Sequence, residues 1–112
     1  MTAKKVTTID AQSGVVTLIN IYEVEPRKQA ELASALAEAT ETVMRHQPGF
    51  VSVNIHKSLD GCRIVNYAQW ASKADFDRLM KNPQAQAQMK KFAEIARSVA
   101  PALYEVSSVH VR

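Results

Sequence analysis

Two runs rich in β-branched and aromatic residues, Phe50 to Lys57 and Cys62 to Trp70, flank Ser58-Leu59-Asp60-Gly61, with Asp-Gly as the turn signal. That pattern reads as a β-hairpin, and its flanks decide the fold. Upstream, Val15 to Val24 reads as a strand and Pro26 occupies a first helical position. Leu32, Leu36, Ala39 and Val43 then recur at helical spacing, and the helix should end near His46, before Gln47-Pro48-Gly49. Downstream, Ser72-Lys73-Ala74-Asp75 resembles a capping box opening a short helix that turns Phe76, Leu79 and Met80 inward. Asn82-Pro83 starts another helix with the stripe Ala85, Met89, Phe92, Ala96 and Val99, stopped by Pro101, and Ala102 to Val111 reads as a last strand. The order β-α-β-β-α-β predicts an α+β, ferredoxin-like split βαβ domain: an antiparallel sheet with helices on one face.

At 112 residues the chain has room for one domain. Residues 1–14 read as a flexible lead-in and residues 15–112 as the domain. No apolar run reaches the ~20 residues of a membrane span and no signal peptide is visible. The single cysteine, Cys62, fits a reducing, cytoplasmic setting and reads as a small residue at a strand start. A net charge of +3 with scattered lysines argues against nucleic acid as a partner. Dispersed histidines and the absence of a glycine-rich phosphate loop predict no metal and no cofactor.

The strands carry apolar residues at both parities: Ile19 and Ile21 against Leu18 and Tyr22, and Val53 and Ile55 against Phe50. Val65 and Tyr67 likewise oppose Ile64 and Trp70. The helices can cover one face, and the simplest second cover is the same face of another copy. The expectation is a homodimer joined through its sheet faces.

Chemistry concentrates in Asn66-Tyr67-Ala68-Gln69-Trp70. Side chains alternate along a strand, so Asn66 and Trp70 share a face and place a carboxamide and an indole N–H near one another. Such groups suit a flat aromatic substrate bearing oxygen. If Leu59-Asp60-Gly61 forms a three-residue loop, Ser58 faces Cys62, His56 faces Ile64, Asn54 faces Asn66 and Phe50 faces Trp70. His56 and Asn54 then line the same surface, with His56 as the candidate base. His46 reads instead as a partner of the helix C-terminus and His110 as a strand surface residue.

The Pro-Gly-Phe lead into the second strand, His56 before the Asp60-Gly61 turn, and the Asn66–Trp70 pentapeptide together resemble the antibiotic biosynthesis monooxygenase family. Within it, the likeness is to small cofactor-independent anthrone oxygenases of the actinorhodin type, over residues 15 to 111. The resemblance implies a dimeric α+β barrel that oxidises an anthrone- or hydroquinone-like aromatic with molecular oxygen, without flavin, haem or metal. It also implies that Asn66 and Trp70 hold substrate oxygens beside His56. Phe76 stands where that type carries a tyrosine and Met89 where it carries an arginine. The expected pocket is therefore largely apolar, bounded by Phe76, Leu79, Met89 and Phe92. The alternatives are a non-enzymatic or isomerase-like binding barrel, or a haem-degrading oxygenase. The last needs an axial histidine, and none occurs between Trp70 and His110.

Overall fold

The computed structural model describes residues 4–112; residues 1–3 of the expected lead-in lie outside it. The elements are β1 (Val16–Glu23), α1 (Gln29–Thr42), β2 (Phe50–Lys57), β3 (Arg63–Trp70), α2 (Lys73–Met80), α3 (Pro83–Ile95) and β4 (Ser98–Tyr104). The four strands form one antiparallel sheet in the order β2-β3-β1-β4. The expected ferredoxin-like architecture is the observed one.

Local chemistry sets the boundaries. Pro26 opens a 3₁₀ turn that leads into α1, and a second such turn, Met44–His46, follows it. The His46 Nε2 lies 3.1 Å from the Glu41 carbonyl oxygen, as expected near a helix C-terminus. Ser72 caps α2 by accepting the Asp75 N–H, and Asn82 caps α3 by accepting the Ala85 N–H.

The C-terminal third differs from expectation. α3 stops at Ile95, so Ala96 and Val99 do not extend its stripe, and β4 begins at Ser98. Pro101 does not end a helix; it sits within β4 opposite Asn20. An edge strand tolerates proline because the missing N–H can face away from the ladder. β4 ends at Tyr104, short of the expected Val111, and His110 lies beyond it with its ring nitrogen 3.0 Å from the Ser108 hydroxyl. On α2, Leu79 is buried and Phe76 half-buried, whereas Met80 is exposed.

The hairpin register is the correction with the most consequence. Asp60 Oδ1 accepts the Cys62 N–H at 3.0 Å and the Ser58 hydroxyl at 2.7 Å, holding Cys62 in the loop. Those hydrogen bonds also hold the Asp60 carboxyl below its usual range, the Cys62 N–H contributing most. Pairing therefore begins at Ser58, whose N–H donates to the Arg63 carbonyl. The loop is Leu59 to Cys62, one residue longer than expected, and a one-residue change of register turns side chains to the opposite face. His56 now faces Val65 and Asn54 faces Tyr67, while Ile55 faces Asn66. A bulge at Val51 restores the pairing of Phe50 with Trp70 and puts Phe50 on the same face as Val53 and Ile55.

The helix-facing side of the sheet carries two apolar clusters. One gathers Tyr22, Val24, Leu32, Leu36, Ile64 and Phe92; the other gathers Leu18, Ala68, Trp70, Leu79 and Ala85. Between them runs one polar row, Asn20 opposite Asn66. On the far side, Ile19, Ile21, Val65 and Tyr67 have no helix over them among the described residues. One end of that side is covered by the lead-in: Thr7 and Asn54 exchange hydrogen bonds at 3.1 and 2.9 Å, and Gln69 donates to the Thr8 carbonyl. Among the described residues, no helix is long and apolar enough to cross a membrane.

Candidate functional site

Where the two apolar clusters meet, the polar row opens into a cavity of about 50 Å³. Asn66 and Trp70 form part of its wall, with Leu18, Asn20, Tyr22 and Leu79. Met89 and Phe92 close it from α3. A larger cleft of about 140 Å³ adjoins it, shares Leu18, Asn20, Tyr22 and Met89, and adds Phe76, Met80, Val99 and Pro101. The sequence-predicted residues Asn66, Trp70, Leu79, Met89, Phe92 and Phe76 are thus brought together on these walls.

His56 and Asn54 are not. The register places both on the far face of the sheet; His56 is exposed, and Asn54 is engaged by Thr7. The expectation that they share a surface with Asn66 is overturned, because Cys62 belongs to the loop rather than to the strand.

Trp70 is 1 % exposed and meets Phe50 edge to face, with ring centroids 5.6 Å apart and an interplanar angle of 88°. Its indole Nε1–H is buried with no hydrogen-bond partner among the described residues, and the same is true of Asn66 Oδ1. Buried polar groups without partners are few in folded proteins, and each one lowers stability until something binds it. Here an unmet donor and an unmet acceptor belong to walls of the same apolar cavity. A third such atom, Thr17 Oγ1, lies on the opposite side of the sheet, beside Gln69.

Asn20 was missed by the sequence reading. Its signal is present: a carboxamide at the inward parity of β1, between Leu18 and Tyr22, in an otherwise apolar stretch. Recognising it required knowing that β1 pairs with β3 in the register that sets Asn20 against Asn66. Tyr22 was read only as an apolar residue of the first strand, yet it belongs to the walls of both cavities.

What the arrangement can do follows from these groups. Neither cavity wall carries a charged side chain, and among the described residues no group of three or more His, Cys, Asp or Glu is placed to hold a metal ion. The Asn66 carboxamide and the Trp70 N–H can address a hydroxyl and a carbonyl of one flat ligand lying along the sheet.

Known proteins resemble this chain in sequence and fold. Residues 15–91 match the family model described as antibiotic biosynthesis monooxygenase. Tetracenomycin-F1 monooxygenase of Streptomyces glaucescens is 42 % identical over 90 residues, covering 80 % of each chain. The crystal structure of ActVA-Orf6 from Streptomyces coelicolor, a monooxygenase solved with nanaomycin D, superposes with a TM-score of 0.79. It is 21 % identical and the match covers 92 % of this chain and 96 % of that one. SnoaB of Streptomyces nogalater, described as a cofactor-independent oxygenase, gives a TM-score of 0.72 at 21 % identity, covering 86 % and 96 %. With its fold, its apolar cavity and a family match over most of its length, the chain belongs to the antibiotic biosynthesis monooxygenase family.

Proposed function

We propose that this protein is a cofactor-independent monooxygenase that oxidises an anthrone- or hydroquinone-like aromatic with molecular oxygen to a quinone. The observation that carries this reading is the pair of unmet polar atoms, Trp70 Nε1 and Asn66 Oδ1, on the walls of one apolar cavity. The 42 % identity to a tetracenomycin-F1 monooxygenase supports it.

The chemistry needs no bound redox group, because the substrate itself supplies the electrons. Loss of one proton from an anthrone or hydroquinone gives an enolate able to reduce oxygen. The protein must favour that anion and keep bulk water away from it. The Trp70 N–H donates to the ring oxygen on which charge develops, and Asn66 accepts a substrate hydroxyl. Leu18, Leu79, Met89 and Phe92 exclude water around them. Phe76 and Met80 in the adjoining cleft suit an apolar end of the ring system over a polyhydroxylated one.

Oxygen uptake with anthrone and with naphthohydroquinone, measured against a heat-denatured blank, tests the proposal. With ¹⁸O₂ and anthrone, one labelled oxygen should enter the quinone. Tight binding of quinones with no uptake above the blank would instead favour a binding barrel.

The far sheet face supports a homodimer. Ile19, Ile21, Val65 and Tyr67 form an apolar surface there, and all of β4 is exposed in the single chain. Sedimentation at micromolar concentration should give twice the 12.4 kDa chain mass, and Val65→Asp should shift the species toward monomer. A wild-type monomer under those conditions would count against the assembly.

A further inference from the structure

Oxygenation moves protons as well as electrons, and the cavity walls offer one group able to move them. The polar side chains on those walls are Asn20, Thr40, Asn66, Trp70 and Tyr22, and among these only the Tyr22 phenol titrates. Thr40 is already engaged, donating its hydroxyl to the Leu36 carbonyl at 2.8 Å. His56 faces the other side of the sheet.

Tyr22 lies on β1, one inward position beyond Asn20, and it is the ring that both cavities share at that end. It is 4 % exposed, and its ring stands edge-on to Phe92 at 6.4 Å. The elements packed around it present Leu32 and Leu36 from α1, Ile55 from β2, Ile64 from β3, Phe92 from α3 and Val99 from β4. None of these is charged or titratable. Burial, with no charge or hydrogen bond acting, pushes the phenol up to about 12, so it stays protonated through the physiological range. A phenol in that state holds a proton to give, and its phenolate, once formed, takes one back readily.

We propose that Tyr22 is the general acid of the oxygenation, delivering its proton to the peroxide formed on the substrate. The assignment rests on the monooxygenase reading above. The enolate carbon of an anthrone bonds to molecular oxygen, the oxidant, and becomes a peroxide anion. Tyr22 protonates the outer oxygen. The resulting phenolate then takes the remaining hydrogen from that carbon. The freed C–H electron pair forms the carbonyl as the O–O bond breaks, and hydroxide leaves. Tyr22 is restored, and hydroxide combines with the proton lost when the substrate ionised, so one oxygen atom ends in the quinone and the other in water. Among the described residues no base lines either cavity for that first ionisation, so solvent at the rim of the cleft takes the substrate's proton.

The test is Tyr22→Phe, which keeps the ring against Phe92 and deletes only the hydroxyl. Quinone binding, read by quenching of Trp70, the chain's single tryptophan, should be unchanged, while kcat with anthrone falls about 10²-fold. Placing 3,5-difluorotyrosine at position 22 preserves size and supplies a more acidic phenol. Turnover should persist, and the alkaline fall of kcat should move to lower pH, which a purely structural role would not produce. Wild-type kcat in Tyr22→Phe, or an alkaline limb that does not move in the fluorinated protein, overturns the assignment. A wild-type protein without oxygen uptake would defeat the monooxygenase reading instead, so the two failures are distinguishable.

Discussion

Trp70→Phe is expected to lower oxygen uptake with a turned-over anthrone by about 10²-fold while leaving the fold intact. The magnitude follows from removing one donor aimed at a developing oxyanion. The indole N–H has no partner among the described residues, so deleting it removes a destabilising feature at the same time as it shrinks the ring. Stability and activity should therefore part company: a small change in the denaturant midpoint, a large one in kcat. Phenylalanine can still meet Phe50 edge to face, which separates the N–H from packing. Asn66→Ala should act in the same direction, since it removes the other unmet atom. If both variants retained wild-type uptake, the pair would be structural and the site would lie elsewhere. A double variant is informative as well: groups serving one bound substrate give a combined loss smaller than the product of the single losses.

Gly49→Ala should lower the melting temperature by about 10 °C, more than the same change at Gly14. Gln47-Pro48-Gly49-Phe50 is a β-turn closed by the Phe50 N–H on the Gln47 carbonyl at 3.2 Å, with Gly49 at a φ of 82°. Alanine in that region costs roughly 1–2 kcal/mol. A Cβ at Gly49 would also overlap the Asp75 carboxyl, which receives the Ser72 hydroxyl and the Arg78 guanidinium at the start of α2. Disturbing that cap adds about 1 kcal/mol. Gly14 has a φ of 75° but nothing within 4 Å of its Cβ position, so only the conformational part applies there. Equal melting shifts at the two glycines would show that the overlap with Asp75 is relieved without loss. Because α2 carries Phe76 and Leu79 to the cavities, the Gly49 variant should also weaken quinone binding.

Local patterns in this chain were enough for the element order, because strand alternation, the proline-led helix starts and the capping residues Ser72 and Asn82 act within a few residues of themselves. They also placed Asn66 and Trp70 on one face, since that follows from parity along a single strand. The end of α3 was misread: Ala96 and Val99 continue its apolar spacing, and Pro101 suits a helix stop as well as an edge strand. The Arg97 N–H bonding to the Glu23 carbonyl turns the chain into β4, and that contact joins residues far apart in sequence. The placing of His56 and Asn54 turned on whether Cys62 belonged to loop or strand, a difference of one residue decided by two hydrogen bonds to Asp60. Asn20 and Tyr22 joined the cavity walls only when β1 settled between β3 and β4. Parity belongs to the strand itself, but which strands share a wall, and in what register, depends on hydrogen bonds and packing between distant segments, and that part only the tertiary structure decided.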